Sequence, residues 1–240
     1  MFERVLVPLD GSPRSEALLS RIPRFLRSEN AELILVRAAQ ILAVEPFSGL
    51  FETDLDQATA YLSAVEKRLA AQGMSARGIA ELARPADLIL RMARNNRVSL
   101  IALSTHGRTG ASRVVLGSVT EEVLRKSPVP VLVARSLEEA PAKEHARPIR
   151  NILVPLDGSD NGLKALRPAL ETGRLFGARI VLLYVIVPER EPGVPSPQDY
   201  LRKAGAQAEA EGLSTLRLVD SGDPAKRILD VSRILGSISL

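Results

Sequence analysis

Residues 4–12 read RVLVPLDGS and residues 151–159 read NILVPLDGS, so seven consecutive residues at 6–12 recur at 153–159. A repeat of this kind decides architecture before any local propensity is weighed. The register holds without a gap to the next apolar run, where Leu33, Ile34, Leu35 and Val36 are answered by Ile180, Val181, Leu182 and Leu183. A third echo sets Arg84-Pro85-Ala86-Asp87 against Asp223-Pro224-Ala225-Lys226 at a smaller offset, so the intervening loop is shorter in the second copy. The chain of 240 residues is therefore read as two domains, 1–136 and 150–240. A polar, proline-containing linker at 137–149 joins them.

Each copy alternates strand with helix. Residues 4–9 form an apolar run too short for a helix and rich in Val and Leu, which predicts a strand. Ser12 is placed to cap a following helix with Pro13 at its first position, and that helix is expected to reach about residue 28. A strand at 32–38, a loop through Pro46 and Gly49, and an amphipathic helix over about 54–71 come next. In that helix Leu55, Ala58, Leu62, Val65 and Leu69 recur at three- and four-residue spacing. Strand 75–82, helix 86–95, strand 99–103, helix 118–126 and strand 129–134 complete the first copy. Strands alternating with helices, joined by right-handed crossovers, give an α/β fold with a doubly wound five-stranded parallel sheet, ordered 3-2-1-4-5. The second copy follows the same course but ends at 236–240, which aligns with 98–101. It is expected to be incomplete, its fourth strand barely begun and its glycine loop, last helix and last strand missing.

Composition narrows the functional classes. The chain is 45% hydrophobic but only 3% aromatic, so its core is aliphatic, as strands covered by helices on both faces require. There is no Cys, which removes disulfides and thiolate metal sites. His106 and His145 are the two histidines, too few for a structural zinc site. His145 reads as a solvated linker residue, and His106 as a loop-orienting or solvent-facing one. The net charge of +4 comes from alternating acidic and basic residues with no interleaved aromatics, so no nucleic-acid partner is expected. No long apolar run and no leader-like N-terminus is present, and the expectation is a cytoplasmic protein with no membrane partner.

The chemistry concentrates in residues 104–121, STHGRTGASRVVLGSVTE, which run from the end of a strand to the start of a helix. Glycines at such a turn let a ligand approach the backbone, and the helix start offers unpaired amides and a positive dipole end suited to phosphate. Two structural readings stand beside this one. Ser118 with Glu121 fits a capping box that needs no ligand, and Gly107 and Gly110 could simply shape a turn. The segment is neither a Walker loop nor a dinucleotide fingerprint. Asp10 ends the first strand, at the edge where open α/β sheets bind ligands beside the fourth strand. Its plainer reading is a turn or helix-entry carboxylate.

With these residues in view, the chain resembles the universal stress protein family, as a tandem member opening each half with VPLDGS. The family signature G-x-x-G-x9-G-[S/T] reads here as Ser104-x-x-Gly107-x9-Gly117-Ser118, with serine in place of the first glycine. The resemblance spans the first half and the second as far as it goes. It implies the adenine nucleotide alpha hydrolase-like fold. It also implies an ATP site, with AMP or ADP as alternatives, in which Pro8 and Asp10 border the adenosine and the backbone around Ala38 meets the adenine. Gly107, Arg108, Thr109 and Gly110 would wrap the phosphates, with Gly117, Ser118 and Val119 holding them at the helix start. A Mg²⁺ ion would arrive on the nucleotide, with Asp10 as the candidate protein donor. Serine at position 104 matters only if the backbone there needs a positive φ, at a cost of about 1 kcal/mol or more.

The function expected is an ATP-binding stress-response or regulatory protein that uses the nucleotide as a conformational ligand, with hydrolysis slow at most. The alternative is a nucleotide-free interaction or scaffold module of the same fold. An ATP pyrophosphatase would need a Ser-Gly-Gly-x-Asp-Ser-type loop after the first strand, and none is present. The incomplete second copy is expected to bind no ATP through a loop of this kind. The edge strand 129–134 is expected to join two chains as a homodimer.

Overall fold

The computed structural model describes residues 2–26, 31–39, 48–104, 117–134, 148–187, 196–236 and 238–239. The chain divides into two units, Met1–Pro141 and Ala142–Leu240.

In the first unit, strand β1 (Arg4–Pro8) buries Val5, Leu6 and Val7 completely. Its neighbours are β2 (Glu32–Ala39) and β4 (Leu100–Ser104), with Val5 level with both Leu33 and Leu100. Strand β3 (Ser75–Leu82) lies outside β2, and β5 (Val131–Ala134) outside β4. All pairs are parallel, as the alternation of elements predicts, and the order is the expected β3-β2-β1-β4-β5. Successive strand residues point to opposite faces. Val5, Val7, Leu33 and Leu35 therefore pack with Leu62, Val65 and Leu69 of α2 (Ser48–Ala70). Leu6, Ile34 and Val36 meet Leu88, Ile89 and Met92 of α3 (Pro85–Asn95) and Val123 of α4 (Ser118–Lys126). Burial on both faces explains why the central strands carry unbroken apolar runs. Gly78 of β3 permits the close seating of α2: a Cβ there would lie 2.7 Å from the Leu62 Cβ. Glu66 accepts the Gly78 amide.

Three expectations change in this unit. The helix after Ser12 does not reach residue 28. Helix α1 (Pro13–Ala17) is five residues long and gives way to 3₁₀ turns at Leu18–Ser20 and Ile22–Phe25. Pro23 falls in the first turn of the second of these, where its missing amide is tolerated, but it could not continue a long α-helix through this segment. Helix α2 begins earlier than expected, at Ser48, and takes Gly49 into its first turn. Strand β5 is shorter than the 129–134 expected. Pro130 cannot donate to a ladder, although its carbonyl accepts from the Ile101 amide at 3.0 Å. Val129 is held in a turn by the Ser127 hydroxyl, which donates to its carbonyl at 2.6 Å.

The second unit repeats the first. Strands β6 (Asn151–Leu156), β7 (Arg179–Ile186) and β8 (Thr215–Ser221) pair in parallel, with helices α5 (Leu166–Phe176), α6 (Pro197–Ala210) and α7 (Pro224–Leu235) between and after them. A two-residue strand, β9 (Ile238–Ser239), pairs with β6 at Ile152 and Leu153, as β4 pairs with β1 at Val5 and Leu6. The order β8-β7-β6-β9 is thus the first four places of the five-stranded pattern.

Candidate functional site

The carboxyl ends of β1, β2 and β4 gather the site residues that are described. Pro8 closes β1 level with Val36, and the chain turns at once through Leu9, whose amide donates to the Val36 carbonyl at 2.9 Å. Asp10 follows, half-buried. One of its oxygens accepts both the amide of Ser12 at 2.9 Å and its hydroxyl at 2.6 Å. Burial pushes the Asp10 carboxyl up, but hydrogen bonds from Ser12 and Ser15 outweigh burial and hold it below its ordinary range. The side chain is therefore ionised at neutral pH. Gly11 takes φ +84°, a conformation that side chains resist, and lets the turn close. Ser12 then caps α1 by accepting the Ser15 amide at 3.2 Å, with Pro13 in the first turn. The turn reading of Asp10 is thus correct, and it leaves a fixed negative charge at the sheet edge.

Ser104 is the last residue of β4, in register with Ala134 of β5. Among the described residues Arg97 is the sole non-glycine with a positive φ, so serine at 104 sits in ordinary extended backbone and carries no conformational penalty. The loop that follows, with His106, Gly107, Arg108, Thr109 and Gly110, lies outside the described residues, as does His145. The far anchor of the loop is described. Gly117 is the cap residue of α4, at φ −62° and ψ 147°, and Ser118 and Val119 form the first turn. The capping-box reading does not hold: Ser118 stands one place inside the helix, and the cap is a glycine with no side chain to accept the first amides. Thr120 is buried and donates its hydroxyl to the Ser104 carbonyl at 3.4 Å, tying the helix start to the strand end.

Ala38 lies near the end of β2, level with Glu81 of β3, two residues beyond the point where β1 leaves the sheet. Its neighbour Arg37 was not marked by any motif. The Arg37 guanidinium carbon lies 4.8 Å from the centre of the Tyr61 ring, and a Cβ on Gly11 would fall 3.1 Å from its Nη1. The Tyr61 hydroxyl donates to Glu16 at 2.8 Å, and Glu16 also pairs with Arg68. Burial, the bond to Glu16 and its charge all raise the Tyr61 phenol well above its ordinary range. No spacing rule finds this group, because Arg37 looks like one more strand residue and Tyr61 like one more helix residue.

The second unit repeats the turn and alters its surroundings. Asp157 accepts the Ser159 amide at 2.9 Å and its hydroxyl at 2.7 Å, and Gly158 takes φ +91°. The β7 residue one place beyond Leu183, the partner of Pro155, is Tyr184, where the first unit has Arg37 one place beyond Val36, the partner of Pro8. Tyr184 meets Tyr200 edge-on at 6.1 Å, and the Tyr200 hydroxyl donates to the Ser159 carbonyl at 2.7 Å.

Two doubly wound α/β units, each opening on the same carboxylate turn, define a tandem protein whose candidate site lies at the carboxyl edge of a parallel sheet. Residues 1–135 and 148–233 match the model of the universal stress protein family, and the chain belongs to that family. Universal stress protein MJ0577 of Methanocaldococcus jannaschii is 28% identical over 155 residues, covering 56% of this chain and 96% of its own length. Universal stress protein YxiE of Bacillus subtilis is likewise 28% identical, covering 56% and 100%. Among solved structures, a universal stress protein from Archaeoglobus fulgidus superposes over 98% of this chain and 82% of its own with a TM-score of 0.75 at 22% identity, a likeness of fold. The structure of MJ0577 covers 58% of this chain and 99% of its own at a TM-score of 0.53 and 29% identity.

No helix among the described residues is long and apolar enough to cross a membrane. None of their His, Asp and Glu side chains form a group of three or more able to hold a metal ion.

Proposed function

We propose that the first unit binds ATP at the carboxyl edge of its sheet and that the nucleotide acts as a conformational ligand in a stress-response or regulatory role. The observation that carries this reading is the glycine cap of α4. A helix start without a side-chain cap, tied by Thr120 to the end of β4, keeps its first amides available to an anion. Pro8, Asp10 and the backbone at Ala38 would border the adenosine, and residues 107–110 with 117–119 would hold the phosphates. Asp10 is one carboxylate already engaged by Ser12, which fits a Mg²⁺ ion carried in on the phosphates better than a resident metal. Such an ion would be held by the nucleotide, with Asp10 as its protein donor, and would supply positive charge to the phosphates. Turnover is expected to be slow at most. Calorimetry with ATP, ADP and AMP tests the reading: saturable ATP binding supports it, and no heat at millimolar nucleotide contradicts it.

Two further parts belong to this reading. The open edge of β5 joins two chains as a homodimer, in a cytoplasmic protein. The alternative function, a nucleotide-free interaction module, suits the second unit better than the first. There Tyr184 and Tyr200 pack where the first unit sets a cation, and α7 leaves Leu229 and Ile234 exposed.

A further inference from the structure

Asp10 poses a problem for any polyphosphate at this edge. It is ionised, and a carboxylate repels phosphate unless a cation lies near. Arg37 lies there. Its guanidinium rests against Gly11, the residue next to Asp10, and the charges of both Asp10 and Arg37 act on the Tyr61 hydroxyl. Among the described residues no carboxylate forms an ion pair with Arg37. The Tyr61 ring, itself held by Glu16, orders the guanidinium by a cation–π contact. A stacked guanidinium keeps its N–H edge for a planar or tetrahedral anion, and a side chain already ordered loses less entropy when it binds.

We propose that Arg37 is a specificity residue of the first unit, a guanidinium held by Tyr61 beside Gly11 that selects phosphorylated over unphosphorylated nucleosides. The proposal rests on the nucleotide reading given above and adds to it a cation seated beside the Asp10 turn, against Gly11. It also separates the units, because the corresponding place in β7 is held by Tyr184, a neutral ring closed against Tyr200.

The test compares the full chain with Arg37→Tyr, which copies the residue the second unit accepts at this place, and with Arg37→Gln. Circular dichroism and thermal melting establish that each variant is folded. Affinities for ATP, AMP and adenosine are measured by calorimetry with excess EDTA, so that no metal supplies the missing charge. The expected result is a loss of about tenfold or more in ATP affinity, a smaller loss for AMP, and adenosine unchanged within about twofold. Raising the salt should narrow the gap between wild type and variant. Unchanged ATP affinity in folded variants overturns the proposal while leaving the nucleotide reading in place. An equal loss for adenosine also overturns it, since that marks Arg37 as a packing residue of the pocket. A wild-type chain that binds no ATP in EDTA and none in excess Mg²⁺ overturns both.

Discussion

Ser12 donates its amide and its hydroxyl to a single oxygen of Asp10, at 2.9 and 2.6 Å, and the second unit repeats the arrangement between Ser159 and Asp157. The recurring D-G-S is thus a structural device, a carboxylate that closes the strand-to-helix turn in both copies. In the first copy the same device places a charge at the candidate site.

The stability carried by this turn depends on acid. Both carboxyl groups are held below their ordinary value of 3.8. A depressed folded value means that the contribution is complete above 3.8 and is lost as pH falls below it, through the folded value. Asp10→Asn should therefore cost about 1 kcal/mol at neutral pH, the range for hydrogen bonds to a half-exposed charge. The gap from wild type should close below the ordinary carboxylate range. Denaturant melts across the acid range check this, and a pH-independent gap would contradict it.

Gly11→Ala and Gly73→Ala separate backbone strain from side-chain crowding. Both glycines have positive φ, +84° and +78°, but a Cβ on Gly73 meets nothing within 4 Å, whereas one on Gly11 lies 3.1 Å from Arg37. Each should lose about 1 kcal/mol from strain alone. Gly11→Ala should lose more, and it alone should weaken ATP binding, because Arg37 must move. Equal losses in stability and no change in ATP affinity would count against the account of Arg37.

Much of this arrangement is legible in the residues. Apolar runs of strand length and the repeat yield the alternation of strand and helix, and β3 falls where the sequence places it. Helix ends are harder to read. The first helix ends at Ala17 and gives way to 3₁₀ turns, while nothing after Gly49 stops α2 from starting at Ser48. Ser-x-x-Glu satisfies a capping pattern wherever the helix begins, and only the backbone of Gly117 shows that Ser118 lies inside α4 and not at its cap. Arg37 lies on β2 and Tyr61 on α2. Their meeting depends on how α2 lies on the sheet, which no local spacing encodes.

The edge of β5 predicts assembly. Its residues are half-buried, and Val131 packs toward the α3 and α4 side. Sedimentation equilibrium should give a dimer at micromolar concentration. Val131→Lys with Val133→Lys should weaken it by at least about tenfold while the fold persists by circular dichroism. A monomeric wild type would remove this proposal, and so would a dimer indifferent to both lysines.

The central claim is that phosphate is held by the uncapped first turn of α4, and Gly117→Asp tests it most directly. Aspartate at a cap position accepts the first amides of the helix, so the variant should be as stable as wild type or more stable by a few tenths of a kcal/mol. The same carboxylate should occupy and repel the phosphate site. Calorimetry should show ATP binding to wild type and a loss of about tenfold or more in Gly117→Asp, with the melting temperature maintained. A folded Gly117→Asp chain that binds ATP as tightly as wild type would contradict the account.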